Sequence, residues 1–314
     1  MSITTEFDLI RNIKRKYGLK KIGDDCAVLP SSDVTDLVVT TDMLVENIDF
    51  RLSWTTPELL GHKCLAVSLS DIAAMGAKPS WAMLSIAVPD HHWKQGFVES
   101  FFEGWTDLAR HFGVELVGGD ISRTTDNIVF DSIAAGTIEK GKAILRSGAM
   151  PGDSIYVSGS LGGSAGGLRL LEAASPHDLA HLLVQRHLKP YPQLTIANLL
   201  HTQHVITSMI DISDGLSSDL HHICEASEVG ATIDASRLPI DPELYRYFPN
   251  EVCFELALHG GEDFELLFTS ADPNLTLTSH QITRIGKITA NSGEMLKVSD
   301  GREIEIEQKG YRHF

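Results

Sequence analysis

Phe97, Phe101, Trp105 and Leu108 recur every three or four residues, the spacing of one helical face, and predict a helix over Trp93–Phe112 that Gly113 ends. The same period runs through Pro57–Met75, with Thr55 or Thr56 placed to cap it. Near the start, Phe7, Ile10, Ile13 and Tyr17 fall on one side of a short amphipathic helix. Apolar runs bounded by turn residues predict strands at Cys26–Leu29, Leu37–Thr41, Trp81–Val88, Val114–Val117 and Ile128–Ile138. The resulting β-α-β-α-β-β order is that of a sheet backed by helices, an α+β arrangement.

A second α+β unit is expected beyond Glu139–Lys142. Ser154–Ser158 reads as a strand, and the glycine-rich segment Gly159–Leu168 then runs into a helix. Leu216, Leu220, Ile223 and Cys224 share one face of a further helix that starts at Ser213 or Asp214. Phe264–Phe268 has the pattern of a buried strand, and Arg284–Ile288, Leu296–Val298 and Glu303–Glu307 predict strands that close the unit. The expected division is residues 1–139 and 140–314, and 314 residues do exceed one average core.

Charge changes the picture more than composition does. A formal net charge of −16 repels nucleic acid and anionic membranes over most of the surface. An anionic substrate then requires metals that invert the field locally. The 4 cysteines (Cys26, Cys64, Cys224 and Cys253) lie far apart, which argues against a zinc site or a disulfide framework and for small buried hydrophobes. The most apolar stretch, Cys64–Ala77, is interrupted by Ser68, Ser70 and Asp71, so no membrane span is expected. The opening residues lack the apolar stretch of a signal peptide. A soluble, cytoplasmic protein is the expectation.

The chemistry lies in a series of acidic motifs: Gly23-Asp24-Asp25, Thr40-Thr41-Asp42, Ser70-Asp71, Gly118-Gly119-Asp120, Asp211-Ile212-Ser213-Asp214 and Gly260-Gly261-Glu262-Asp263. Each alone has a bland reading as an Asx turn, a hairpin glycine or a helix cap. Asp71 fits none of them, because it interrupts a helix that is apolar on nearly every side. Thr40-Thr41-Asp42 is expected at a strand end, and Gly118-Gly119-Asp120 in a tight turn. Gly159–Gly167 suits either close helix packing or an anion cradle. Arg146 suits a phosphate or is a surface arginine, and the pairs His91-His92 and His221-His222 read as solvated helix residues. Carboxylates gathered by the fold need compensation, and hard divalent cations with oxygen preference supply it. Magnesium in turn implies phosphates, hence an ATP-handling enzyme with several metals. No Ser-His-Asp or Cys-His arrangement supports a covalent nucleophile.

In their order and spacing, the segments GDDCAVL, TTDMLVENIDF, KCLAVSLSDIAAMGAKP, VGGDISR, RSGAMPGDSIYVSGSLG, IDISDGL, LPI, GGEDFELLF and GYRHF resemble the thiamine-monophosphate kinase family of the aminoimidazole-ribonucleotide-synthetase-like superfamily. The resemblance covers nearly the whole chain. It implies two α+β domains, an N-terminal sheet that pairs in a homodimer, and ATP-dependent phosphorylation of thiamine monophosphate. By position it implies magnesium ligands at Asp25, Thr40, Thr41, Asp42, Asp71, Asp120, Asp211 and Asp214. It implies nucleotide contacts at Thr41, Gly119, Asp120, Arg146 and Ser213, with Asp71, Asp120 and Arg146 supporting transfer. Substrate contacts are implied at Asp49, Glu262 and Tyr311, although some members carry His where this chain has Asp49. The rival readings are another ATP-dependent cyclase or synthetase of the superfamily, and a non-catalytic metal or nucleotide sensor.

Overall fold

A computed structural model describes residues 6–94, 96–173, 178–203, 205–299 and 301–311; the Phe7 side chain and the last residues of the GYRHF motif lie outside the described residues. The first half runs α1 (Glu6–Tyr17), β1 (Ala27–Pro30), β2 (Thr35–Val45), α2 (Pro57–Ala74), β3 (Lys78–Val88), α3 (Asp90–Trp93), α4 (Phe97–Phe112), β4 (Glu115–Arg123) and β5 (Val129–Glu139). The helix expected over Trp93–Phe112 is divided, because Gly96 adopts a left-handed conformation between α3 and α4. Thr56 caps α2 by accepting from the Leu59 N–H, and left-handed Gly113 closes α4.

The strands form a 5-stranded sheet in the order β1-β2-β5-β3-β4. Alternation along β2, β3 and β5 puts Val38, Leu44, Ala82, Leu84, Ile86, Phe130 and Ala134 on one side, where α2 and α4 cover them. Gly61 and Gly104 let these helices cross with backbones touching: a Cβ at Gly61 would run into the Phe101 carbonyl, and one at Gly104 into that of Glu58. The opposite side of the sheet is open, and Met43 and Met83 are exposed on it. Every residue of edge strand β4 is exposed.

The second half runs β6 (Ser154–Ser158), α5 (Gly163–Ala173), α6 (Leu182–Leu188), α7 (Leu194–Gln203), β7 (Ser208–Asp211), α8 (Leu216–Ser227), β8 (Gly230–Asp234), α9 (Asn250–His259), β9 (Leu266–Ser270), β10 (Ile282–Thr289), β11 (Met295–Ser299) and β12 (Arg302–Glu305). Its 7-stranded sheet has the order β12-β11-β8-β10-β6-β9-β7. The strand expected at Phe264 begins at Leu266, after a Phe264 with left-handed φ. Helix α2 joins the two halves. Buried on nearly every side, it packs on β2 and β5 of the first sheet and on α7 and β7 of the second half. The buried cluster around it is continuous, from Val38, Phe130 and Leu69 to Tyr156, Met209 and Phe268. Among the described residues no helix is long and apolar enough to cross a membrane.

Candidate active site

The inner end of α2 lies where the two halves meet, and carboxylates arrive there from separate elements. Asp25 comes from the turn before β1, Asp42 from β2, Asp71 from α2 and Asp211 from the last position of β7. One carboxylate oxygen each from Asp25, Asp71 and Asp211 lies within 4.8 Å of the others. The Thr40 hydroxyl donates to Asp71, and Ser70 Oγ donates to Asp211 Oδ2 at 2.6 Å. Arg146 is no surface arginine: it is half-buried and its Nη2 donates to Asp25 Oδ1 at 2.6 Å.

These partners leave the cluster short of positive charge. Burial first, and the neighbouring carboxylates second, push Asp42 up to about 6. The same causes push Asp211 up to about 8 and Asp71 well above the usual carboxylate range. Burial also raises Asp25, against the pull of Arg146. Among the described residues, the Oδ2 atoms of Asp25 and Asp42 are buried without a hydrogen-bond partner. Orphaned, all-oxygen donors with raised proton affinity fit hard divalent cations such as Mg²⁺, which replace the protons.

Asp42 and Ser213 also line a cavity of about 390 Å³ that opens beside the cluster. Its walls are Phe50, Trp54, Leu168, Phe264 and Tyr311, with Asp49, Glu172 and Glu262 among them. The three residues expected to hold substrate, Asp49, Glu262 and Tyr311, thus come together. Asp49 Oδ2 accepts from the Val45 N–H at 2.8 Å, which holds the turn after β2. Tyr311 N–H bonds the Asp214 carbonyl at 3.1 Å and brings the end of the described chain over the cavity. Lys63 and His187, which the motifs did not single out, pair with Glu262. Lys63 has a signal in the sequence: it is a charge in the same apolar helix as Asp71.

Other expectations are corrected. Thr40-Thr41-Asp42 does not end a strand; Leu44 and Val45 extend β2, so Thr40 and Asp42 face the helices while Thr41 is exposed and donates to Asp131 Oδ1 at 2.8 Å. Gly118-Gly119-Asp120 is not a turn but the middle of β4, where a Cβ at Gly119 would meet the Leu84 carbonyl. Met43, Asp131, Ser85 and Asp120 form one row across the sheet. Asp120 therefore sits on the open side, three strand spacings or about 14 Å from β2. Within this chain it does not join the cluster.

Neither Ser213 nor Asp214 caps α8; the helix starts at Leu216 after Gly215, whose N–H is taken by buried Asp219 at 3.0 Å. Asp214, Asp219 and His222 offer ligand atoms within 4.8 Å of one another. His222 is half-buried rather than solvated, and burial with the nearby Arg146 lowers it to about 3. The glycine-rich loop before α5 is not an open anion cradle. Asp263 already fills it, accepting from the N–H groups of Gly162 at 2.5 Å and Ser164 at 3.1 Å.

The description "AIR synthase related protein, N-terminal domain" matches residues 23–138, and its C-terminal counterpart matches residues 150–299. Thiamine-monophosphate kinase of Escherichia coli (strain K12) is 39% identical over 323 residues, which covers 99% of this chain and 97% of that protein. The chain belongs to this family. The thiamine-monophosphate kinase of Bacillus subtilis (strain 168) is 36% identical, covering 98% of this chain and 99% of the relative. A solved member of the family, "AaThiL complexed with AMPPCP and TMP", superimposes with a TM-score of 0.87 at 34% identity, with 100% of both chains covered.

Proposed function

We propose that the protein transfers the γ-phosphoryl group of ATP to the phosphate of thiamine monophosphate, giving thiamine diphosphate and ADP. The observation that carries this reading is the cavity, aromatic and acidic at one end and open to a buried carboxylate cluster at the other. A cationic heteroaromatic ring fits among Phe50, Trp54, Phe264 and Tyr311, with Asp49, Glu172 and Glu262 countering its charge. Its phosphate then extends towards Asp42 and Ser213.

Acceptor and donor are both anions, so their approach needs cations. Asp25, Asp42, Asp71 and Asp211, with Thr40 and Asp214 beside them, would hold Mg²⁺, which would supply that charge. Arg146 adds a fixed guanidinium for the nucleotide phosphates, and Ser213 orients the nucleotide. Thr41, Gly119 and Asp120 lie on the open side of the sheet, so they join a site when a second copy pairs through that side. An acceptor phosphate oxygen attacks the γ-phosphorus, the bond to the β–γ bridging oxygen breaks, and ADP leaves with the electron pair. The acceptor is ionised at neutral pH, so transfer needs no strong base and passes through no phosphoenzyme.

Incubation of the purified protein with ATP, Mg²⁺ and thiamine monophosphate, followed by mass spectrometry, tests this. Thiamine diphosphate and ADP in equal amounts are expected. ATP left unused, or consumed without thiamine diphosphate, overturns the assignment.

A further inference from the structure

Glu262 is held from both halves of the molecule. Lys63, on α2, places Nζ 2.8 Å from Glu262 Oε1, and only 3% of its side chain is exposed. Among the described residues, Glu262 is its ion-pair partner. His187, on α6, places Nδ1 3.0 Å from Glu262 Oε2 and 3.1 Å from Ser164 Oγ. The backbone is fixed as well. Glu262 has a left-handed φ of 64°, and its N–H donates to the Ser213 carbonyl at 2.8 Å. A non-glycine residue kept there must be over-determined by its surroundings, as side chains in functional sites often are.

The pairing also settles the charge state. Burial alone would raise the carboxyl, but Lys63 and His187 outweigh it and bring Glu262 down to about 2. With Oε1 facing the Lys63 ammonium and Oε2 facing the His187 imidazole, whose proton affinity burial lowers, the carboxylate lines the cavity as a group that accepts a hydrogen bond but cannot give one.

We propose that Lys63 and His187 are positioning residues, which lock the Glu262 carboxylate so that it accepts an N–H from the amino group on the substrate's second, neutral pyrimidine ring and rejects a pyrimidine that presents a carbonyl there. This rests on the thiamine monophosphate reading above. A site built around a fixed acceptor discriminates strongly, because the wrong partner leaves a buried polar group unsatisfied.

The test compares thiamine monophosphate with oxythiamine monophosphate, in which the ring amine is replaced by an oxo group, on wild type, Lys63→Met, Lys63→Arg and His187→Asn. Wild type should prefer the amine by about 100-fold or more in kcat/KM. Lys63→Met should raise KM for thiamine monophosphate by about 100-fold, leave KM for ATP within about twofold, and collapse the preference towards unity. Lys63→Arg should restore most of the preference. An unchanged preference in Lys63→Met, or an equal loss for both compounds, overturns the inference. Circular dichroism checks folding, and His187→Asn carries the same comparison if Lys63→Met does not fold. Wild type that makes no thiamine diphosphate rejects the underlying activity instead.

Discussion

Asp25, Asp42, Asp71 and Asp211 share too little positive charge by themselves, since among the described residues Arg146 hydrogen-bonds Asp25 and no other carboxylate of the four. Replacing a cluster carboxylate by an amide removes a metal ligand and a buried repulsion together. Asp71→Asn and Asp211→Asn should each lower kcat by about 100-fold or more while Tm stays level or rises. Wild-type turnover in either variant would remove that residue from the metal set. The sign of the pH response follows from the same groups. Asp42, at about 6, and Asp211, at about 8, bind protons more tightly folded than unfolded. Their stabilising protonation is complete below about pH 4 and is lost as pH rises through the folded values. In EDTA, Tm should fall from roughly pH 5 to 8, and Mg²⁺ should restore it most at the upper end. A Tm that rises over that window would show the cluster compensated without metal.

The elements show why some of this is legible in sequence and some is not. Asp71 stands out because an acid in an all-apolar helical pattern has no solvated face to occupy. Lys63 obeys the same logic, yet only the fold reveals that its counter-ion is Glu262. The strands of the first sheet, α2 and a second α+β unit follow from period and turn residues, whereas strands β7 and β8 and helices α6, α7 and α9 are not expected from them. The place of Asp120 does not, because Gly118-Gly119 reads as a turn until pairing with β3 shows an edge strand passing close to the Leu84 carbonyl. Nor does sequence show that Asp263 satisfies the first turn of α5 while its neighbour Glu262 faces the cavity. Two substitutions test the element-scale packing. Gly61→Ala should destabilise by about 2–4 kcal/mol, since α2 and α4 must move apart. Asp263→Ala should cost about 1–3 kcal/mol by stranding the Gly162 and Ser164 N–H groups. Denaturant unfolding measures both, and a loss under about 0.5 kcal/mol at Gly61 would mean the helix crossing yields easily.

For the molecule as a whole, the open side of the first sheet decides whether one chain holds a complete site. Met43 and Met83 are exposed there, in the company of Asp131 and Asp120. If two copies pair through this side, Asp120 of each serves the other. Asp71→Asn and Asp120→Asn chains would then each be inactive alone, but an equimolar mixture, about half of it mixed dimers with one intact site each, would regain about a quarter of wild-type turnover. Light scattering that finds only monomers, or mixing that restores nothing, would place each site within one chain.

Helix α2 has one more consequence. It carries Lys63 at the heterocycle's end of the cavity and Asp71 at the metal end, on a single rigid rod packed on all sides. At about 1.5 Å of rise per residue, these positions stand about 12 Å apart along the axis. The helix acts as a caliper. It gauges the substrate from ring to phosphate, so a homologue one methylene longer should still bind by its ring and yet present its phosphate out of line, with kcat falling far more than KM rises.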